Sequence, residues 1–167
     1  MREAIGGTWL FGLVITFIVF FASFLAISIN YAKAFNVKNN VVDLISKYEG
    51  NNCNARKMIS NYFRDTGYLV TGTCPKSGDY LYDGFEYIGY DLEGNQVASG
   101  KKAYYCVSRD SIENIALSTN DTLEKKYYRV MVFFRIDLPL VGNLTTFKIK
   151  GETESIYFAK DESTSSC

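Results

Sequence analysis

Residues 9–29 read WLFGLVITFIVFFASFLAISI, and this stretch decides the fold. Fourteen of its twenty-one residues are Leu, Ile, Phe or Val, and no charged side chain occurs from Ala4 to Ala32. As a helix it is about 31 Å long, close to the hydrocarbon thickness of a bilayer. At roughly −0.4 kcal/mol per such residue, insertion is favoured by about 6 kcal/mol before the small polar residues are counted. A single-pass membrane protein, held by its N-terminal region, is the expectation. A cleaved secretory signal has a shorter apolar stretch of about 7–15 residues. Ala32-Lys33-Ala34 reads A-x-A, but it lies past the apolar stretch and carries a lysine.

Working outward, the chain turns amphipathic without a break after Ala32. Phe35, Val37, Val41, Val42, Leu44, Ile45 and Tyr48 recur mostly at three- and four-residue steps, with Lys38, Asn39, Asp43 and Lys47 on the other face. Neither proline nor glycine interrupts residues 13–49. Gly50 offers a C′ position. One helix over residues 8–49, roughly 60 Å long, is predicted. Its outer half carries a single apolar stripe that needs a partner. Residues 1–50 thus read as a membrane helix continuing as a stalk, and residues 51–167 as a head domain that covers the stripe.

The totals exclude several classes. Lys plus Arg is 18 and Asp plus Glu is 18, a balance with no electrostatic footprint for nucleic acid. Histidine is absent, which removes the commonest general base and metal ligand. The four cysteines, Cys53, Cys74, Cys106 and Cys167, are spaced neither as a zinc site nor as C-x-x-C. Widely spaced and even in number, they suggest an oxidising compartment, which places the head outside the cell membrane. Cys74 and Cys106 adjoin predicted strands and are the first pair to consider, with Cys53 and Cys167 as the remainder. Four cysteines allow three pairings, and spacing does not choose among them.

A second helix is predicted where Ala55, Met58, Ile59, Tyr62 and Phe63 follow the i, i+3, i+4, i+7, i+8 pattern. Asn51, Asn52 and Asn54 offer N-caps, and Gly67 offers a stop. Strands are expected at 68–70, 85–90, 96–99 and 103–107, with a turn at 91–94 that uses Gly94 in a left-handed position. Residues 111–123 suggest a short helix and a loop. At the end, Tyr128, Val130, Val132, Phe134, Ile136 and Leu138 alternate with Arg129, Arg135 and Asp137. Pro139 to Gly142 breaks the run. Phe147, Ile149, Gly151 and Thr153 then alternate with Lys148, Lys150, Glu152 and Glu154. A long hairpin with one buried face and one solvated, charged face is the expectation, packed on the helix stripe. The fold class is α+β: a long transmembrane and stalk helix with a small antiparallel sheet.

Catalytic signals are sparse. Ser99 and Lys102 form S-x-x-K without a companion motif, and a hairpin flank accounts for them. Cys53 without any histidine is a poor nucleophile. Asp79, Asp83, Glu86, Asp91 and Glu93 are close in sequence, yet not at EF-hand spacing, and read as solvated turns. No enzyme, no cofactor and no metal is expected. Tyr80, Tyr82, Phe85, Tyr87 and Tyr90 form the densest aromatic cluster, either core and interface or a ligand platform.

Two stretches resemble a known family. Gly6-Gly7-Thr8-Trp9-Leu10-Phe11-Gly12 leads into the apolar run, and Tyr31-Ala32-Lys33-Ala34-Phe35 leads into the stalk. The hairpin of residues 128–138 and 147–154, with Pro139 and Gly142 between its strands, closes the chain. This layout resembles the TadE-like minor pilins, or pseudopilins, of tight-adherence systems, within the type IV pilin-like proteins. The resemblance covers about the first 50 and last 35 residues. It implies a non-enzymatic subunit in the assembly of a surface pilus or secretion filament. Its implied partners are the bilayer, other pilin-like subunits bound through the N-terminal helix, and an assembly platform and motor. A cut between Gly7 and Thr8 would match family processing, although Gly12 then stands where the family carries a glutamate. The two glycines also suit a frayed, interfacial N-terminus. Gly12, Thr16, Ala22, Ser23 and Ala26 are the small residues available for close helix packing. A different class of reading is a membrane-anchored extracellular binding module, or adhesin, that uses the tyrosine-rich segment.

Overall fold

In the computed structural model, helix α1 runs without interruption from Arg2 to Lys47, 46 residues or about 69 Å. The structure describes the backbone of residues 2–76, 86–118, 121–138 and 142–159. Side chains are described for residues 7–76, 86–108, 126–135 and 146–156. The helix begins earlier than the predicted residue 8 and includes Gly6 and Gly7. A backbone entering an apolar phase has no water for its N–H and C=O groups, which favours helix even through glycine. The other end also differs from expectation. Glu49, at φ 54°, takes the left-handed position assigned to Gly50. Gly50 N–H then donates to the Ile45 carbonyl at 2.8 Å, and Glu49 N–H to Ser46 at 3.1 Å. This is a Schellman closure displaced by one residue.

Helix α2 spans Cys53–Thr66. The Asn52 side chain accepts from the Ala55 N–H at 2.9 Å, and Gly67 closes the helix at φ 63°. Its buried face is Ala55, Ile59, Ser60 and Phe63, whereas Met58 is largely exposed. The apolar stripe is therefore rotated toward Ser60, whose hydroxyl donates to the Leu92 carbonyl.

Strands follow in the order β1 (Gly72–Thr73), β2 (Ile88–Tyr90), β3 (Gln96–Val97), β4 (Lys102–Ala103), β5 (Tyr105–Ser118), β6 (Asp121–Leu138), β7 (Gly142–Glu152) and β8 (Ile156–Ala159). Pairing is antiparallel, in one sheet ordered β3-β2-β5-β6-β7 and a small β1-β4 pair. The chain is α+β: a long apolar helix with small antiparallel sheets. The turn at 91–94 forms as expected, with Gly94 at φ 82° and the Asp91 carboxylate accepting from the Glu93 and Asn95 N–H groups.

Three expectations need correction. Residues 68–70 are not a strand; pairing begins at Gly72, opposite Ala103. The helix and loop expected within 111–123 are replaced by strand on both sides, where β5 pairs β6 as far as Ser118 and Asp121. Register shifts between Ser111 and Glu113, and between Ala116 and Ser118, change the phase of alternation and hide the strand from a period-two reading. The hairpin also buries both faces of β6. Val130 and Val132 face α1 and α2, while Met131 and Phe133 lie in a second core with Tyr87 and Cys106. The charged alternation of β7 is where it was expected, with Lys150 and Glu152 exposed.

The larger core holds the α1 stripe, Val37, Val41 and Ile45, against α2 and the sheet. At its centre Tyr105 lies between two rings. Tyr90 is 5.1 Å away and Phe63 5.8 Å, both nearly parallel to it. The strand after β7 is interrupted only briefly. Tyr128 N–H donates to Thr153 Oγ1 at 2.9 Å, and Thr153 N–H donates to the Tyr128 carbonyl at 2.9 Å. The threonine side chain thus replaces a ladder acceptor, and β8 resumes pairing at Lys126.

Candidate membrane and assembly surface

The two halves of α1 have opposite surroundings. From Ala34 onward one face is sealed against the head. From Trp9 to Leu25 the large apolar side chains are exposed: Trp9 is 74% exposed and Phe20 68%. The helix is long and apolar enough to be a single membrane span. Its hydroxyls are also suited to an apolar phase. Thr16, Ser23 and Ser28 each donate to the carbonyl four residues back, at 2.9, 2.9 and 3.0 Å. None of these three needs water to satisfy its donor.

One side of this span is notched. Thr8, Gly12 and Thr16 recur every fourth residue, and Trp9, Leu13, Phe17 and Phe20 border the shallow hollow they form. A Cβ added at Gly12 would meet nothing within 4 Å. Such a notch lets a second helix approach closely, where packing and not transfer from water supplies the attraction. The expected processing point, Gly7 and Thr8, lies at the end of this notch, inside helical backbone.

Where the span meets the head, aromatic rings gather. Tyr31 meets Phe134 edge-on at 5.9 Å, and Phe134 stacks on Phe147 at 5.2 Å. Phe35 lies one turn beyond Tyr31, its ring 6.4 Å away. Lys38 places its ammonium 4.2 Å over the Phe35 ring. Its stem runs over Gly151, where a Cβ would come within 2.7 Å of Lys38 Cδ. This cluster was not foreseen, because the contacts that close it, Tyr31 with Phe134 and Lys38 with Gly151, join residues more than a hundred positions apart. The signal available was the phase of Phe134 and Phe147 on one face of the hairpin.

The other predicted positions are distributed as follows. Cys74 and Cys106 are disulfide-bonded, with Cα atoms 5.8 Å apart. Cys53 is also disulfide-bonded. Cys167, its expected partner, lies outside the described residues, as do Tyr80, Tyr82, Phe85, Asp79 and Asp83. Of the aromatic cluster, Tyr87 is buried in the disulfide-side core and Tyr90 in the helix-side core. These two therefore lie on opposite sides of the sheet and share no platform. Ser99 and Lys102 are both exposed, the first in a turn and the second on β4. Asp91 uses its carboxylate within its own turn, and Glu93 pairs with Arg64 at 3.4 Å. Burial raises the Tyr68 phenol to about 12, and burial, beside the Tyr90 phenol, raises Tyr105 further. Tyr90 and Tyr62 move upward for the same first reason, opposed in part by Arg56 and by Asn40 respectively.

No protein-family model, curated protein or solved structure matches this chain.

Proposed function

We propose that this protein is a non-enzymatic, membrane-tethered subunit of a pilin-like assembly, in the TadE-like role that its sequence resembles. The observation that carries this reading is the single helix whose inner half is bare and apolar while its outer half is built into the head core. No linker separates span from head, so a force or rotation applied to one is passed to the other. In this reading the head is held outside the cell membrane, and copies associate through the notched face of α1. Lipid contacts are exchanged for helix contacts, so shape complementarity sets the affinity. A platform and motor in the membrane would drive that exchange.

Replacement of residues 10–29 by an uninterrupted leucine helix of equal length tests this function. Membrane insertion and the head should survive, and assembly should be lost. Full assembly with the leucine helix would reduce α1 to a plain anchor and end the proposal.

A further inference from the structure

We infer that residues 70–76 form a strap over the sheet, which a dithiol reductant releases by attack on Cys74 of the Cys74–Cys106 bridge. The two faces of the sheet are covered differently. On one, α1 and α2 build the larger core. On the other lies the core of Tyr87, Cys106, Met131 and Phe133. Among the described residues, Val70 and Cys74 are the partly buried apolar side chains packed against it. The strap backbone rests on this core. A Cβ added at Gly72 would overlap the Phe133 ring, 2.6 Å from its Cγ. Val70, Gly72 and Cys74 thus turn toward the sheet at every second residue, while Leu69 and Thr73 are exposed.

The ties of the strap are few. Its ladder among the described residues is β1–β4, two pairs long: Gly72 with Ala103 and Thr73 with Lys102. So short a ladder is marginal by itself. Tyr68 is pinned separately. Its phenol donates to the Phe133 carbonyl, and its ring lies 6.2 Å from Phe63 in the larger core. Leu69, 59% exposed, stands between that fixed point and the strap and is the hinge. The disulfide is the covalent tie that keeps the strap down.

This bridge is open at one end. Cys106 is 0% exposed, whereas Cys74 is half-buried and lines a hollow of about 170 Å³ beside β2 and the 98–101 turn. Glu86 and Lys101 put one charge of each sign on its walls, so access decides which sulfur reacts. A thiolate of the dithiol attacks Cys74 Sγ. A new S–S bond forms there, the Cys74–Cys106 bond breaks, and its electron pair leaves on Cys106 Sγ, which takes up a proton. The second thiol of the reductant loses its proton and displaces Cys74, which leaves as a thiolate and is protonated. The reductant departs as a disulfide, and two electrons and two protons have passed to the protein. The strap then swings about Leu69 and uncovers Met131 and Phe133, while α1, α2 and the β5–β6–β7 ladder stay in place. Reoxidation closes it.

Two readings test this. The native full chain in detergent micelles is treated with reduced glutathione, quenched in acid and digested at low pH for mass spectrometry. The expected result is glutathione on Cys74 in about tenfold or greater excess over Cys106. Peptides holding Cys53 are resolved separately, so its own bridge does not enter the ratio. Equal labelling, an excess on Cys106, or no adduct until urea unfolds the chain would each overturn the one-sided attack. The second reading is hydrogen exchange of Cys74→Ser with Cys106→Ser beside the native chain. Peptides covering 70–76 should lose their protection at the shortest labelling time, while those covering 34–45 and 128–134 remain protected. Retained protection in 70–76, or its loss in all three regions together, would make the bridge a staple of the whole head and overturn the strap.

Discussion

The Tyr68 phenol donates to the main-chain carbonyl of Phe133 at 2.6 Å, across 65 residues of sequence. It ties the segment leaving α2 to the middle of β6. Tyr68→Phe removes the donor and leaves the carbonyl in a half-buried site without it. A loss of about 1–2 kcal/mol is expected in urea unfolding of the chain in detergent. Burial of the same phenol gives a pH dependence. The folded phenol sits near 12, above its unfolded value of 10.0. Its stabilising effect is complete below pH 10 and is lost as the pH rises toward 12, because the unfolded chain ionises first. Tyr68→Phe should therefore flatten part of the alkaline limb of stability against pH, leaving the part due to the more deeply buried Tyr105.

Two glycines make a matched pair. At Gly72 a Cβ would stand 2.2 Å from Phe133 Cδ1, whereas at Gly12 it would meet nothing. Gly72→Ala should lower stability by about 1–3 kcal/mol through overpacking of the second core. Gly12→Ala should leave head unfolding unchanged and weaken assembly, since the notch is then partly filled. Unfolding midpoints and crosslinked oligomer yield, read on both variants, separate the two effects.

Thr153 joins β7 to β8 through its hydroxyl. Thr153→Val keeps the shape and strands the Tyr128 N–H, which is buried. A cost of about 1–3 kcal/mol is expected. Hydrogen exchange should show a faster Tyr128 amide while the β6–β7 amides near Phe134 stay protected; uniform acceleration across β6 would mean a different role.

The Cys74–Cys106 bridge closes a loop of 32 residues' separation. Cys74→Ser with Cys106→Ser should cost about 3–4 kcal/mol in the loop-entropy model. Gly89 packs on Cys74 Sγ, where a Cβ would come within 2.9 Å, so some of that loss also comes from packing. Equilibrium unfolding with and without reductant measures it.

Local chemistry explains which parts of this fold were legible in the sequence. Asn52, Gly67 and Gly94 act through their own neighbours; Gly67 and Gly94 stand where the pattern placed them, and Asn52 is the one of three candidate asparagines that caps α2. The closing hairpin and the Cys74–Cys106 pair were also readable, from a clean alternation and from strand-adjacent cysteines. Strand β5 was not, because the shift after Ser111 breaks its period. Nor was the burial of Met131 and Phe133, since the cover comes from the segment around Val70 and Cys74, distant in sequence. Ser60 replaced Met58 on the buried face of α2 because the Leu92 carbonyl awaits a donor there. The apolar span was plain from composition alone. The aromatic collar beside it depends on Tyr31 meeting Phe134, a tertiary fact without a local signature.

Assembly through α1 is tested most directly by mass spectrometry of sheared surface filaments and of membranes from the native cell, reading the N-terminal peptide in both. Recovery of the chain in the filament fraction is the expected result, and a peptide starting at Thr8 or at Met1 distinguishes a processed subunit from an unprocessed one. Recovery in membranes alone, as free monomer, would contradict a role in assembly.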